Sequence, residues 1–561
     1  MIRYIKKIRY IKKGNLAWAG KLGLPLLILA LAAFVYGLHG FEDTLLRDYS
    51  IYLYSGQRMA EGIPPYVSVF DHKGPLSPML AALGVAWSKE LNWDDVYTVR
   101  LVFYLTACLT AVAVYLLGKN AFRSQIAGLF GALAFLGFYA YAQPAASGPE
   151  PKTPMVLFEA LNLLFAVQKR WFWAGLCGSL AFLVWQPMAV FPFVSFVLAV
   201  MRPREERFKA TLRAAAGIAT PLVVVVTYFY YYDALDDFFD GFVLFNFLYI
   251  VRGQAPLGLH LAGAAFNIAL PYNTMLVPIL LGLVMILRLY FLKPFPYRFA
   301  PIVLSFPAPV LWSLRDFQLA DDFYVFLPYA AIGFGALLAL AIDRAKPAQL
   351  LAMLLSTAIL LAPVLWFLQN FQLPDGSYVF LLFAAVGFGA LLAFAVHRAK
   401  TLLLPASLLS LVLLTVALAN TFDEVSATAA DRLKGTDISL NQQREGALAV
   451  EERLGEAARL ASINSPQVLV LLHQENPNPY LWLTAGVDRA IEARTPGGFE
   501  GWIRELEASD PDAIAFFGEG QTLTPSSHLS PEHSHDLYDW LRPRYQAEKI
   551  GPWWLYVKNS R

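Results

Sequence analysis

The sequence predicts an all-α polytopic membrane domain followed by a soluble α/β domain at the C-terminus. Hydrophobic residues fill 57% of the 561 positions and charged residues only 15%, whereas an average soluble protein carries about a quarter charged residues. Mean hydropathy is +0.49. Near residue 424 the apolar runs give way to polar sequence. Water is therefore the solvent of the C-terminal part only, and the net charge of +2 gives no reason to expect a nucleic acid as partner.

Apolar runs close to the length that crosses a bilayer predict about 13 transmembrane helices within residues 22–422. The basic N-terminus, residues 1–21, precedes the first run. No small-residue cleavage site closes that run, so we expect an uncleaved first span. The runs lie at 22–40, 99–118, 126–143, 153–168, 171–185, 187–200, 214–231, 267–289, 298–314, 323–342, 348–368, 378–396 and 401–420.

The charges between these runs predict the orientation of the chain, because Lys and Arg accumulate in cytoplasmic loops. Counted from a cytoplasmic N-terminus, alternate loops are basic, as at 202–209 and 288–298. The loops between them are acidic, as at 233–240 and 316–322. The alternation predicts a multi-pass protein of the cytoplasmic membrane, with the C-terminal domain, residues 423–561, outside the cell.

An internal repeat supports this orientation. Ala308-Pro-Val-Leu-Trp312 recurs as Ala362-Pro-Val-Leu-Trp366, and the resemblance continues to Lys346 and Lys400. The repeat predicts a helical hairpin that is duplicated in the same orientation within residues 308–400.

The C-terminal domain shows the periodicities of mixed α/β structure. Its pattern predicts an amphipathic helix at 440–461 and a second helix at 500–508. Short continuous apolar runs predict strands at 467–473, 513–517 and 553–557.

The first outside loop, residues 41–98, is much longer than a helical hairpin needs, and long ordered loops are often functional. From Asp48 to Glu61 apolar and polar residues alternate at helical spacing, which predicts a helix lying along the membrane surface. Residues 77–91 predict a second such helix.

This loop carries a motif that resembles the GT-C glycosyltransferases, the superfamily of aminoarabinose transferases and protein O-mannosyltransferases. The resemblance implies that Asp48 is the catalytic carboxylate and that Lys73 binds the lipid phosphate of the donor. The motif reads Asp48-Tyr49, then Arg58-Met-Ala-Glu-Gly-Ile-Pro-Pro-Tyr66, then Asp71-His-Lys-Gly-Pro-Leu76.

The resemblance extends over roughly the first 200 residues and implies two further site residues. Glu150 matches an acidic residue that is usual in the second outside loop, and Trp185-Gln186-Pro187 resembles a Lys-Gln segment. The family has a Glu where this chain has Tyr49, so Glu42 and Asp43 stay open as the acid.

The chemistry of sugar transfer needs these residue types independently of the resemblance. A carboxylate takes the proton of the acceptor as it attacks the anomeric carbon, and a cation offsets the charge on the departing phosphate. Arg58 and His72 are further candidates for the phosphate, although Arg58 is equally well explained as a residue snorkelling at the membrane surface. The remaining candidates for a donor or acceptor pocket are Asp43, Tyr66, Asp71, Gln186, Arg252 and Arg315.

The sequence thus predicts a glycosyltransferase that moves a sugar from a polyprenyl-phosphate donor to an acceptor glycan, lipid or protein outside the membrane. A transporter or lipid flippase is the main alternative; it predicts ionisable residues in mid-span and inverted repeats, whereas the charges lie at span ends. A scaffold that presents the C-terminal domain is a third hypothesis. No cofactor is predicted besides the lipid-linked donor. No metal ligands are assigned, and a divalent-metal requirement and the oligomeric state stay open.

Overall fold

A computed structural model describes residues 19–37, 41–249, 275–317, 320–344, 439–483, 486–516 and 529–559. The predicted spans at 348–368, 378–396 and 401–420 lie outside these residues, as do the second copy of the repeat and Arg252.

The described part of the chain before residue 345 is mainly helical. Its α-helices are α1 (Ala19–Gly37), α2 (Arg47–Ala60), α3 (Leu76–Leu91), α4 (Asp95–Phe122), α5 (Gln125–Leu136), α6 (Tyr139–Ser147), α7 (Lys152–Val167), α8 (Trp171–Val184), α9 (Val190–Val200), α10 (Arg204–Tyr231), α11 (Leu235–Phe239), α12 (Phe245–Leu248), α13 (Leu276–Leu289), α14 (Ala300–Ser305), α15 (Pro307–Asp316) and α16 (Leu327–Arg344). The two helices predicted in the first outside loop are confirmed as α2 and α3; their position along a membrane surface stays a prediction.

Local sequence signals set the bounds of the long helix α4. The Asp94 carboxylate caps its N-terminus by accepting a hydrogen bond from the Tyr97 N–H at 3.0 Å. At the other end Arg123 adopts a left-handed conformation with φ 55°, and Ser124 caps the following helix. The break between two predicted spans is therefore set by two consecutive positions, the left-handed Arg123 and the capping residue Ser124.

The membrane character of this part is confirmed by its long apolar helices. Judged by length and composition, three described helical segments suffice to cross a bilayer: Asp95–Phe122, Arg204–Tyr231 and Asp321–Asp343. Five shorter apolar helices of the described part accompany them. The total number of spans and the side on which each end lies stay predictions.

Two predicted spans are interrupted rather than continuous. The run at 126–143 divides at Gly137 and Phe138 into α5 and α6. The run at 298–314 divides before Pro307, where a proline begins α15 because its ring removes a backbone donor from the helix interior. A 3₁₀-helix, Gln186–Ala189, lies between α8 and α9.

The expectation that all charges lie at span ends is wrong. Glu159 lies inside α7, is fully buried, and neither of its carboxylate oxygens has a hydrogen-bond partner among the described residues. Ionisable residues within spans also occur in transporters, whereas the sequence repeat within residues 308–400 predicts two hairpins of the same orientation rather than an inverted pair.

The C-terminal residues form a four-stranded mixed sheet with helices. Its strands are β1 (Leu460–Ile463), β2 (Ala513–Phe516), β3 (Tyr545–Ile550) and β4 (Trp553–Lys558) in the order β1-β2-β4-β3, with β1 and β2 parallel and the other pairs antiparallel. Its helices are α17 (Leu440–Leu454), α18 (Gln467–Leu472), α19 (Val487–Arg494), α20 (Gly498–Ser509) and α21 (Pro531–Leu541).

Two sequence-based expectations for this domain are wrong. The run at 467–473 is the helix α18 rather than a strand, because Pro466 takes an αR conformation and starts a helical turn, and a short apolar run alone does not distinguish the two. The helix predicted to reach Ala461 ends at Leu454, since Gly455 has φ 93°. The strand β1 follows in place of the last predicted turns.

Candidate functional site

The first outside loop places Lys73 on a short segment that is anchored on both sides. The Asp71 carboxylate accepts hydrogen bonds from the N–H groups of His72 at 2.7 Å and Lys73 at 3.3 Å. The hydroxyl of Tyr66 donates to the carbonyl of Lys73 at 2.6 Å. Gln186 Nε2 donates to the carbonyl of His72 at 2.7 Å. The predicted pocket residues Tyr66, Asp71 and Gln186 thus form hydrogen bonds that hold the backbone of His72 and Lys73.

Gly74, the residue after Lys73, makes a close backbone contact with the end of α8. The N–H of Gly74 donates to the carbonyl of Val184 at 3.1 Å, and a Cβ at this position would run into the carbonyl of Leu183. Only glycine permits this close approach. The loop is thereby seated directly on the end of α8.

The Lys73 ammonium lies near an aromatic ring and forms no ion pair within 4 Å among the described residues. Its Nζ is 5.7 Å from the centroid of the Tyr52 ring, within the range of a cation–π contact. Its charge also acts on Glu150 and Asp321. A half-buried cation with this arrangement can accept an anionic ligand.

His72, by contrast, supplies no positive charge at neutral pH. Burial lowers the pKa of its imidazole to about 4, against an opposing effect of Asp71. The ring packs between Phe245, 5.7 Å away, and Trp482, 5.4 Å away, measured between centroids. Its predicted role as a phosphate ligand is reduced to that of a neutral hydrogen-bonding group.

Glu150 is a buried carboxyl at the start of the second outside segment. The Lys152 N–H donates to its Oε1 at 3.2 Å. Burial, and next the negative charge of Asp321, raise the pKa of Glu150 to about 7, although Lys73 and Lys152 oppose the rise. A carboxyl with this pKa exchanges protons readily near neutral pH, as general bases do.

A charged cluster that the sequence did not predict lies beside Glu150. The Lys152 ammonium is 2.6 Å from Asp321 and 2.5 Å from Asp322, and 4.9 Å from the ring centroid of Trp185. All three charged side chains are largely buried. The sequence does hold one sign of Lys152, since lysines are uncommon in the acidic loops that are predicted to lie outside.

Asp48 lies in the first turn of α2, where the helix dipole favours a carboxylate. It pairs with Arg47, Nη2 to Oδ1 at 2.8 Å, and its side chain is 47% exposed. Its charge acts on His72 and on Tyr52. The structure therefore brings Asp48, Lys73 and Glu150 into one electrostatic neighbourhood, with Asp48 on its solvent-facing side.

Arg100, which the sequence did not single out, ties the two carboxylate-bearing segments together. This fully buried residue donates to the carbonyls of Phe41 and Thr44, ahead of Asp48, and to that of Gly148, ahead of Glu150.

The two alternative acids lie toward the outer edge of the same region. The Asp43 charge acts on the Arg100 guanidinium, and the Glu42 carboxylate accepts a hydrogen bond from the Tyr97 hydroxyl.

The remaining predicted cations do not join this site in the described residues. Arg58 is buried and forms an ion pair with Glu61 at 2.8 Å and a longer one with Glu475 at 3.9 Å. Arg315 lies near the end of α15, and its side chain is outside the description, as is all of Arg252. Within the described ranges, no group of three or more His, Cys, Asp and Glu side chains is arranged to hold a metal ion.

One protein-family model matches part of the chain. Residues 72–231 match the family model of dolichyl-phosphate-mannose-protein mannosyltransferases, a stretch that includes Lys73, Glu150, Lys152 and Gln186. No curated protein sequence matches the chain significantly.

Solved structures resemble the chain over almost its full length. ArnT from Cupriavidus metallidurans bound to undecaprenyl phosphate is 15% identical, with a TM-score of 0.59 over 98% of this chain and 99% of that one. The apo state of ArnT gives 15% identity and a TM-score of 0.58, covering 96% and 98%. The Pmt1–Pmt2 complex of S. cerevisiae bound to its sugar donor is 13% identical, with a TM-score of 0.32 over 45% of this chain and 40% of that one. The chain thus has the fold of ArnT over almost its full length, and residues 72–231 match the model of a mannosyltransferase family, in agreement with the resemblance that the first outside loop indicates.

Proposed function

We propose that this protein is a GT-C glycosyltransferase that moves a sugar from a polyprenyl-phosphate carrier to an acceptor at the outer surface of the cytoplasmic membrane. The observation that carries the proposal is the buried Glu150 carboxyl with a pKa of about 7, facing the charge of Lys73 in a chain with the fold of ArnT. ArnT binds undecaprenyl phosphate, which supports a polyprenyl-phosphate donor for this chain.

The transfer step makes one bond and breaks one. The acceptor hydroxyl oxygen attacks the anomeric carbon of the donor sugar, and the bond from that carbon to the phosphate oxygen breaks. Its electron pair stays on the phosphate, which leaves as polyprenyl phosphate. The proton of the acceptor passes to a carboxylate of the site. Lys73 stabilises the negative charge on the departing phosphate.

The two carboxylates of the site, Glu150 and Asp48, are assigned to proton acceptance and to orientation of the substrates. Glu150 has the pKa that suits proton transfer near neutral pH, so we assign it the acceptor's proton. Asp48, half exposed at the N-terminus of α2, is assigned to orient the acceptor or the sugar hydroxyls. The predicted assignment of Asp48 as the base is the alternative, and the pH profile of the variants separates the two.

The sugar, the acceptor and the outward orientation of the site belong to the proposal as well. A hexose and an aminopentose donor are both compatible with it. The loop charges, with basic segments on one side and acidic ones on the other, support a cytoplasmic N-terminus and a site at the outer surface.

The test is transfer by the purified, reconstituted full-length protein. Polyprenyl-phosphate mannose and polyprenyl-phosphate aminoarabinose, each radiolabelled in the sugar, are offered in parallel with a lipid and glycan extract of the source membranes. Release of polyprenyl phosphate and labelling of the extract are measured together. Transfer from at least one donor is expected, and inertness toward both donors, with no binding of undecaprenyl phosphate, would overturn the proposal.

A matched pair of lysine variants locates the site. Lys73→Ala is expected to reduce transfer by about 100-fold or more, since it removes a cation that stabilises charge formed in the transition state. Lys89→Ala changes an exposed lysine on the neighbouring helix α3 and is expected to behave as the wild type.

A further inference from the structure

The C-terminal domain reaches the Lys73 segment through one short stretch, residues 479–482. The carbonyl of Pro479 accepts a hydrogen bond from the N–H of Phe70 at 2.8 Å. The indole Nε1–H of Trp482 donates to the carbonyl of Phe70 at 2.9 Å. Both backbone hydrogen-bonding groups of Phe70 are therefore held by a domain more than 400 positions away.

Aromatic packing reinforces this attachment. The ring centroid of Trp482 lies 5.4 Å from that of His72, and the ring of Tyr480 lies 5.4 Å from that of Phe70. Phe245 closes the cluster from the membrane domain, 5.2 Å from Phe70. Trp482 is 6% exposed, so its hydrogen bond is shielded from water and its loss leaves a buried carbonyl unpaired.

The anchors on the two sides of Lys73 have different origins. On the C-terminal side, Gly74 is bonded to Val184 at the end of α8. On the N-terminal side, Phe70 is bonded to the C-terminal domain. Only Asp71 and His72 separate Phe70 from Lys73, so the position of Phe70 helps to set the Lys73 backbone, together with the hydrogen bonds that Gln186 and Tyr66 donate to the carbonyls of His72 and Lys73.

We propose that Trp482 is a positioning residue for the donor site, which holds Phe70 so that Lys73 faces the donor phosphate. The inference rests on the proposed function and extends it, because it makes the C-terminal domain part of the active site rather than an appended binding module. Trp482 acts here through Lys73 and needs no contact with the donor.

The test measures the dissociation constant of undecaprenyl phosphate for the full-length protein in detergent. Trp482→Phe keeps an aromatic ring but removes the N–H donor. It is expected to weaken binding by about tenfold, the effect of one buried hydrogen bond lost. Trp482→Ala also removes the ring and is expected to weaken binding by about 100-fold, as misplaced binding groups do.

Trp540→Phe is the matched control. Trp540 belongs to the same domain, is 7% exposed, packs on Tyr545, and its Nε1 has no hydrogen-bond partner among the described residues. The substitution is therefore identical in chemistry and similar in burial, yet remote from Phe70. Unchanged binding is expected, and the thermal unfolding midpoint of each variant reports whether the domain stays folded.

A double-mutant cycle separates positioning from general structural damage. If Trp482 acts through Lys73, Trp482→Phe weakens binding in the wild type but has no further effect in a Lys73→Ala background. Equal effects in both backgrounds, or wild-type binding by Trp482→Phe, would overturn the inference. Failure of the wild type itself to bind undecaprenyl phosphate would contradict the proposed function instead.

Discussion

The ammonium of Lys152 lies 2.6 Å from a carboxylate oxygen of Asp321, although 169 positions separate the two residues. This pair joins the start of α7 to the 3₁₀-helix Ala320–Phe326 directly beside Glu150. The charges of both residues act on the Glu150 carboxyl, in opposite directions. The proton affinity of Glu150 is therefore set by burial, by the distant Asp321, and by the opposing charges of Lys73 and of its near neighbour Lys152.

The first prediction concerns the pH dependence of transfer. If Glu150 accepts the proton, it must be ionised, so kcat/KM falls as the pH drops through about 7. Glu150→Gln is expected to lower kcat by about 100- to 10,000-fold and to abolish this acidic limb. Rates measured from pH 5 to pH 9 check both points. A limb that persists in Glu150→Gln would assign the proton to another group, with Asp48→Asn as the next variant to profile.

The second prediction concerns a variant that keeps Glu150 but shifts the acidic limb of the pH profile of kcat/KM. Asp321→Asn removes the negative charge that, after burial, raises the pKa of Glu150 most. The pKa of Glu150 should fall, and the acidic limb of kcat/KM should move to lower pH. Asp322→Asn, which alters the other partner of Lys152, is the control and should move the limb less. Equal shifts in both variants would contradict the assignment to Asp321.

The third prediction concerns Arg100. Arg100→Met leaves the buried carbonyls of Phe41 and Gly148 without their donor and should lower stability by about 2 kcal/mol, seen as a lower thermal unfolding midpoint in detergent. Transfer should also fall, because Arg100 no longer links the segment before Asp48 to the segment before Glu150. Arg459→Met breaks an exposed ion pair with Asp510 and should leave the midpoint unchanged. A midpoint for Arg100→Met equal to that of the control would refute the structural role.

The fourth prediction separates His72 from Lys73. Because burial lowers the pKa of His72 to about 4, its ring is neutral at pH 7 and contributes packing rather than charge. His72→Phe should therefore keep the dissociation constant of undecaprenyl phosphate within about threefold of the wild type, the scale of a packing change. Titration calorimetry at pH 7 measures it. A loss as large as that of Lys73→Ala would show that His72 is itself a ligand.

Local patterns in the sequence predict the parts of the site that are local in the chain. The helical spacing of residues 48–61 and the run at 77–91 predict α2 and α3 correctly, because helical periodicity and proline positions act over a few residues. The motif from Arg58 to Leu76 identifies Lys73. Its supports Tyr66 and Asp71 are within seven positions of it and are predicted as pocket residues.

Features built from distant residues escape this kind of reasoning. The Lys152–Asp321 pair and the Trp482–Phe70 hydrogen bond depend on how helices and domains pack, and a single sequence carries no signal for such pairings. The error at 467–473 has a different origin, since a short apolar run fits a buried strand or a buried helix equally well. The sequence offers Arg58 as a phosphate ligand or as a snorkelling residue, and its pairing with Glu61 follows from i,i+3 spacing at the end of α2.

The bonding of Phe70 to Pro479 and Trp482 limits how the molecule can be divided. A truncation before residue 439 would remove the partners of both Phe70 backbone groups. The Lys73 loop would then lose its attachment on the N-terminal side. A chimera that exchanges the C-terminal domain for that of a relative must therefore supply a carbonyl in place of Pro479 and an N–H donor in place of Trp482. An exchanged domain must therefore match one short loop, and the two backbone hydrogen bonds of Phe70 show whether it does.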